Sequence, residues 1–267
     1  MKFGLVHYNA PGANLEEYFQ FLAETGFDCT ELLTRDVWGP GEENPERAAE
    51  AVRKLADRYG IAVSAFAAGN DFVVLDPDAV KAQVARMERC ANIAEILGTK
   101  VIRSEGGQPK ESVPEEKWVD AMAECFRRCL EWAEPRGIKL SVDNHGLVTN
   151  KPGVLPALFE KVPSPCLGTN LDTMNYRWWG TPVEECDRIY AQVAPKVFST
   201  HLKDGFGSRK EYVGMALGEG EIHLTVAVSL LKQAGFKGPW VAEYEARTDK
   251  VEGCRKCLEW MKQHIPD

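Results

Sequence analysis

The chain has 267 residues, of which 44% are hydrophobic and 27% are charged, and its formal net charge is −8. This composition is typical of a globular protein with enough apolar residues for a core, in one large domain or two small ones. The negative charge and the lack of a basic tract argue against a nucleic-acid surface, which needs clustered Lys and Arg.

No run of 18 apolar residues occurs, so we predict no membrane-spanning helix. The first residues, MKFGLVHYNA, lack the longer apolar region and cleavage site of a signal peptide and predict a first strand instead. We therefore expect a cytoplasmic protein whose eight cysteines are reduced and structural, because thiols stay reduced in that compartment.

Helix ends are marked by a glycine that recurs between a helical pattern and a strand-like run. Glycine adopts at low cost the left-handed conformation that closes a helix. Helix starts are marked by a capping residue before a proline, at Asn44, Asp76 and Thr181. The glycines are Gly26, Gly60, Gly98, Gly137 and Gly235.

Eight strand-like runs alternate with helical segments along the chain. This succession predicts a (β/α)8 TIM barrel, and no linker rich in Pro, Gly or Ser divides residues 1–267, so we predict a single domain. An open, doubly wound α/β sheet is the alternative. The runs are KFGLVHY, DCTELL, IAVSAFAA, TKVIRSEG, IKLSVDNH, LGTNLDT, VFSTHLKD and WVAEYE.

Polar residues gather where these strands end, which is where active sites form in TIM barrels. Residues two apart on a strand point the same way, so four successive strands each direct a pair of polar side chains at one axial cavity. Earlier strands add Glu31, Arg103 and Glu105. The four pairs are Asp143 with His145, Asn170 with Asp172, His201 with Lys203, and Glu243 with Glu245.

The carboxylates in this set need a partner. Placed close together, they would raise one another's pKa unless a cation balanced them. One His with three carboxylates suits Mn²⁺, Mg²⁺, Co²⁺ or a catalytic Zn²⁺ with open positions. The alternative is a metal-free barrel mouth in which Arg103 and Lys203 pair with the acids.

Five motifs follow one another in a characteristic order: GFDCTEL at 26–32, NLDTMN at 170–175, HLKD at 201–204, LGEGEI at 217–222 and AGFKGPWVAEYE at 234–245. Together they resemble the xylose-isomerase-like TIM-barrel superfamily, in its sugar phosphate isomerase/epimerase branch, over essentially the whole chain. The resemblance implies one divalent metal ion. Its ligands would be Asp143, Asp172, His201 and Glu243.

One position departs from the pattern of that family. Relatives that epimerise or isomerise sugars usually carry Glu where this chain has Asp143, and their metal-bound Glu pair moves protons on opposite faces of the substrate. Asp is one methylene shorter, so it can bind metal and yet fall short of the substrate carbon. This weakens the epimerase interpretation specifically.

The resemblance implies a metal-dependent isomerase or epimerase that acts on a small keto-sugar or related polyol through an enediolate. Glu243 is the first candidate for the base, with Asp143, His145 or Glu105 as the second acid/base. Trp178, in the stretch YRWWG that we predict to be a loop, would stack on the sugar or bury itself in a subunit interface. The other candidate substrate contacts are His7, Glu31, Arg103, Glu105, Lys203 and Glu245.

Other functions compete with this one. A lyase that dehydrates a keto-inositol or keto-sugar would use the same residues, and a non-catalytic sugar-binding barrel would keep the ligands alone. Apurinic endonucleases of the superfamily need a His-rich zinc cluster and a basic groove, which five histidines and a net charge of −8 disfavour. We expect a small carbohydrate as the partner, no nucleic acid or membrane, and, from the resemblance, a homo-oligomer.

Overall fold

The structure, a computed structural model that describes residues 1–247 and 249–266, contains eight parallel strands arranged around a barrel. Each strand pairs with the next along the barrel, and the last pairs with the first. The circle closes at Leu202, whose amide donates to the carbonyl of Val241 at 2.7 Å and whose carbonyl accepts from the amide of Glu243 at 2.9 Å. The predicted (β/α)8 barrel is confirmed. Its strands are β1 (Phe3–Val6), β2 (Cys29–Leu33), β3 (Ala62–Ala67), β4 (Val101–Ser104), β5 (Lys139–Asp143), β6 (Leu167–Asp172), β7 (Val197–His201) and, after a hairpin of β8 (Asp204–Phe206) and β9 (Val213–Met215), β10 (Trp240–Ala242).

The helices begin and end largely where the capping signals predict. The side chains of Asn44 and Asp76 accept backbone N–H groups of the first turn, and Gly26 closes the first helix with φ of 93°. Thr181 was wrongly predicted as a cap, because the helix begins after Pro182 without a side-chain cap. The α-helices are α1 (Leu15–Thr25), α2 (Pro45–Tyr59), α3 (Pro77–Leu97), α4 (Trp118–Arg136), α5 (Val154–Lys161), α6 (Asn175–Trp179), α7 (Val183–Val193), α8 (Leu224–Gln233) and α9 (Lys250–His264).

The hydrophobic core lies between the barrel and its helices, as expected when amphipathic helices cover a parallel sheet. On α4, Met122, Phe126 and Cys129 recur on one face and are fully buried. All eight cysteines are buried and free, as predicted for reduced structural cysteines. Within the described ranges, none of the helices combines the length and the apolar character needed to cross a membrane.

Two segments at the carboxyl end of the barrel differ from the sequence prediction. The stretch YRWWG, predicted as a loop, contains most of the short helix α6. The segment after β7, which the alternation of strands and helices predicts to lead to a helix, first forms the antiparallel hairpin of β8 and β9. Its glycine at 214 lies so close to the chain after β10 that a Cβ there would be 2.7 Å from the carbonyl carbon of Glu245. The hairpin is therefore packed directly on the rim of the barrel.

Asp204 organises the glycine-rich turn at 217–221. Its buried carboxylate accepts backbone N–H groups of Gly205, Gly218, Gly220 and Ile222 at 2.9 to 3.2 Å. A Cβ at Gly220 would lie 2.1 Å from Oδ1 of Asp204, so a glycine is needed for this approach. The turn is thus shaped by a carboxylate of the chain itself.

Asp204→Asn is expected to destabilise the protein. The amide nitrogen of asparagine would face backbone N–H donors, which leaves buried donors unsatisfied and lowers the free energy of unfolding by about 2 kcal/mol. Urea denaturation monitored by circular dichroism measures this. Glu219→Gln, on the exposed side of the same turn, is the control and should change stability by less than about 0.5 kcal/mol. Equal stability of the two variants would contradict the assignment.

Candidate active site and metal centre

The carboxyl ends of the barrel strands surround a cavity of about 310 Å³. This volume is at the small end of the range for ligand pockets in proteins. Many of the residues predicted for the site line the cavity, because the alternation of side chains along the strands directs them there. These lining residues are Arg103, Glu105, Asp143, His145, His201, Glu243 and Glu245.

Three of the predicted metal ligands form a compact group beside this cavity. One ligand atom from each of Asp172, His201 and Glu243 lies within 4.8 Å of the others. Oδ1 of Asp172 accepts the backbone N–H groups of Met174 and Asn175, both at 2.9 Å. Its second oxygen, Oδ2, remains directed at the group, 4.0 Å from Nδ1 of His201.

The donor atoms of this group fit a divalent metal ion. Nδ1 of His201 is buried and makes no well-aligned hydrogen bond to the described residues, although Oε2 of Glu243 is 2.9 Å away. A buried, unsatisfied ring nitrogen beside two carboxylates is a donor arrangement that a cation satisfies. The combination of imidazole and carboxylate ligands suits Zn²⁺, Mn²⁺ or Co²⁺.

Neighbouring carboxylates strongly shift the pKa of His201. Burial would lower the pKa of His201, but the carboxylates of Glu31 and Glu243 outweigh it and raise the pKa well above its ordinary value. A cation that binds at Nδ1 therefore has to displace a proton, as is usual for metal-binding histidines.

Lys203 is a buried cation among the carboxylates of the site. Its Nζ lies 2.9 Å from Oε2 of Glu245, 3.4 Å from Oδ2 of Asp172 and 3.5 Å from Oε1 of Glu243. Burial raises the pKa of Asp172 to about 7, against the opposing effect of Lys203. Burial also favours the neutral form of Glu243, but Lys203 and His201 outweigh it and hold the pKa of Glu243 well below its ordinary value.

Arg103 joins two further buried acids. Its Nε donates to Oε1 of Glu31 at 2.6 Å and its Nη1 donates to Oδ2 of Asp143 at 2.7 Å. Oδ1 of Asp143 accepts from Nδ2 of Asn170 at 2.8 Å. Burial would raise the pKa of Asp143, but the charge of Arg103 outweighs it and the pKa is lowered. Asp143 lines the cavity but is not in the compact group of 4.8 Å found among the described residues, so its role as a ligand stays a prediction.

The buried part of the site contains more negative than positive charge. Four carboxylates face two permanent cations there, if the partly exposed Glu105 and Glu245 are left out. Without metal, the raised pKa of His201 adds a third positive charge, so the metal-free alternative is realised by Arg103, Lys203 and a protonated His201. A divalent cation beside a neutral histidine would replace that proton and add one further positive charge. The carboxylates are those of Glu31, Asp143, Asp172 and Glu243, and the cations are Arg103 and Lys203.

Four predicted substrate contacts lie outside the cavity wall, namely Glu31, His7, Trp178 and Lys203, and Lys203 is the buried cation that pairs with Glu245. Glu31 is 1% exposed and lies behind His201. The ring of His7 contacts Oδ1 of Asp36 at 2.8 Å and stacks on Tyr18. Trp178 lines a neighbouring groove, which shares Glu245 and one tyrosine with the cavity.

Sequence reasoning missed several lining residues. Tyr8 follows β1, and Thr34 and Arg35 lie in a single 3-10 turn directly after β2. The guanidinium of Arg35 donates to the carbonyl of His7 at 3.0 Å and lies over the ring of Tyr8. Their position just past a strand end was the available signal, but they belong to loops, whose side-chain directions do not follow the strand alternation.

Known proteins similar in structure share the barrel. The chain is similar to D-psicose 3-epimerase from Clostridium cellulolyticum H10, solved with D-tagatose, with a TM-score of 0.80, 14% identity and 100% of both chains covered. It is similar to an IOLI protein with a bound zinc atom, with a TM-score of 0.77, 18% identity, and 99% of this chain and 98% of that chain covered. A xylose isomerase domain protein from Alicyclobacillus acidocaldarius gives the same TM-score, identity and coverage. At these identities the similarity concerns the fold alone.

The family of the chain follows from its sequence. None of the curated proteins matches it significantly. A family model described as the xylose isomerase-like TIM barrel, however, matches residues 19–264. This match covers nearly the whole chain, and the observed barrel agrees with the fold that the family model describes. The chain belongs to the xylose isomerase-like TIM barrel family.

Proposed function

We propose that the protein is a divalent-metal-dependent isomerase or epimerase of a small keto-sugar or related polyol. The observation that carries the proposal is the compact group of Asp172, His201 and Glu243 beside a sugar-sized cavity. The structural relatives support it, since one was solved with zinc and another, a sugar epimerase, with D-tagatose. Mn²⁺, Mg²⁺, Co²⁺ and Zn²⁺ are the candidate metals.

The metal ion would be held by Asp172, His201 and Glu243, with Asp143 as the fourth ligand that the family resemblance implies. When bound, such an ion polarises a ketose carbonyl and stabilises the charge that develops on its oxygen. Every other contribution comes from side chains of the protein.

Glu243 is the proposed base. It lines the cavity, and Lys203 and His201 lower its pKa, so it is present as the carboxylate, the form that can accept a proton from the substrate carbon. His145 and Glu105 line the same cavity and are the groups available to return the proton. Arg103, which also lines the cavity, would hold a substrate hydroxyl.

A lyase that dehydrates a keto-inositol or keto-sugar is the second candidate. The observation in its favour is the ion pair that commits Asp143 to Arg103 at 2.7 Å. Epimerisation needs two groups that move protons on opposite faces of the substrate, and the short, paired Asp143 is poorly suited to be one of them. Loss of water needs only one base and one acid.

Incubation with a panel of ketoses and keto-inositols in deuterated water, followed by NMR, tests the proposal. Each candidate metal is added in turn. The proposal predicts either an epimerised product with deuterium at the carbon that lost its proton, or an isomerised product with deuterium at the neighbouring carbon, which receives a proton from the solvent-exchanged acid. A dehydrated product would favour the lyase, and binding of a sugar without any exchange would leave only a sugar-binding protein.

A further inference from the structure

Four buried side chains from four strands form a continuous chain of contacts that ends at His201. Asp143 on β5 accepts from Arg103 on β4, and Arg103 donates to Oε1 of Glu31 on β2 at 2.6 Å. The other oxygen of Glu31, Oε2, lies 2.9 Å from Nε2 of His201 on β7. Glu31 and His201 are each 1% exposed, so water does not compete for these contacts.

The contact between Glu31 and His201 fixes which ring nitrogen carries a proton. Glu31 faces the guanidinium of Arg103 and is ionised, and an ionised carboxylate only accepts hydrogen bonds, so Nε2 of His201 has to be the donor. In a neutral ring, the lone pair is then on Nδ1. Nδ1 is the atom that faces Asp172 and Glu243.

We infer that Glu31 is a positioning residue, which holds the ring of His201 so that Nδ1 is presented to a divalent cation, and does not contact the substrate. The inference rests on the metal site of the proposed function. It also gives Asp143 an indirect effect on metal binding, besides that of a ligand. Asp143 accepts a hydrogen bond from Arg103, and Arg103 donates to one oxygen of Glu31. A carboxylate that accepts the remote N–H of a metal-bound histidine sets the orientation and basicity of that ligand.

Metal affinity of the purified, metal-stripped protein tests the inference without any substrate. Co²⁺ alone is titrated by calorimetry, and its visible absorption reports the coordination at His201. Glu31→Ala and Glu31→Gln are expected to weaken Co²⁺ binding about 10- to 100-fold and to shift the absorption bands. Glu31→Gln keeps the volume of the side chain and serves if the alanine variant does not fold.

Asp36→Asn is the matched control. Asp36 also contacts a histidine ring, that of His7, at 2.8 Å, and its side chain is 4% exposed, but neither residue belongs to the group of ligands. Its Co²⁺ affinity and spectrum should match those of the wild type. Wild-type affinity and an unchanged spectrum in Glu31→Gln would overturn the inference. A wild-type protein that binds no Co²⁺ would instead contradict the proposed metal site itself.

Asp143→Asn separates the two routes open to Asp143. If Asp143 acts only through Arg103, Asp143→Asn should weaken Co²⁺ binding less than Glu31→Gln does, because Arg103 and Glu31 remain in place. If Asp143 is a direct ligand, Asp143→Asn should weaken Co²⁺ binding at least as much as Asp172→Asn does. The second order of affinities would support Asp143 as the fourth ligand, and wild-type Co²⁺ affinity in Asp143→Asn would overturn the route through Arg103.

Discussion

Asp172→Ala is expected to abolish metal binding and to lower kcat/KM by on the order of 10³-fold, since a bound ion contributes several kcal/mol of transition-state stabilisation. Asp172 is fully buried, and its Oδ2 is directed at His201 and Lys203, so the alanine removes a charged ligand from the centre of the group. Elemental analysis of the purified protein and steady-state kinetics give the two readouts.

The alanine also leaves the backbone N–H groups of Met174 and Asn175 without their acceptor. Asp172→Asn, which retains an oxygen for them, therefore separates loss of the metal from loss of stability. Asp187→Asn, on α7 beside His223, is the control and should keep metal and activity. Full metal content in both variants at position 172 would contradict the assignment of this ligand.

Glu243→Gln is expected to lower kcat about 10²- to 10⁴-fold, the usual contribution of a general base. The amide keeps the shape of the side chain and an oxygen near His201, but it cannot accept a proton from carbon. Measurement of kcat at saturating metal isolates this loss from weaker metal binding.

Glu245→Gln is the matched control for this prediction. Glu245 lies two residues further along, is partly exposed and pairs with Lys203 at 2.9 Å, so its loss should act mainly on KM. A larger loss of kcat in Glu245→Gln than in Glu243→Gln would assign the base to Glu245.

The position of the site could be predicted from the sequence because it depends on regular strands. Parallel strands bring their carboxyl ends to one edge, and side chains alternate along each strand, so Asp172, His201 and Glu243 had to converge. The helix caps at Asn44 and Asp76 were predictable for a similar reason, since capping is local.

Features that depend on particular partners were not predictable in this way. The sequence shows Arg103 and Asp143 at neighbouring strand ends, but it does not show that they pair with each other and with Glu31. The hairpin of β8 and β9 was missed because its strands are three residues long, too short for an alternating pattern. Arg35 was missed because it lies in a turn after its strand.

Metal-dependent proton abstraction is tested by titrating metal into the stripped protein with proton exchange as the readout. A ketose that the protein binds is held in deuterated water, and deuterium at its exchanging carbon is followed by NMR. We expect no exchange without metal and a rate that rises until one equivalent of metal per chain has bound. Exchange at full rate in the stripped protein, or one bound equivalent of metal with no exchange, would contradict it.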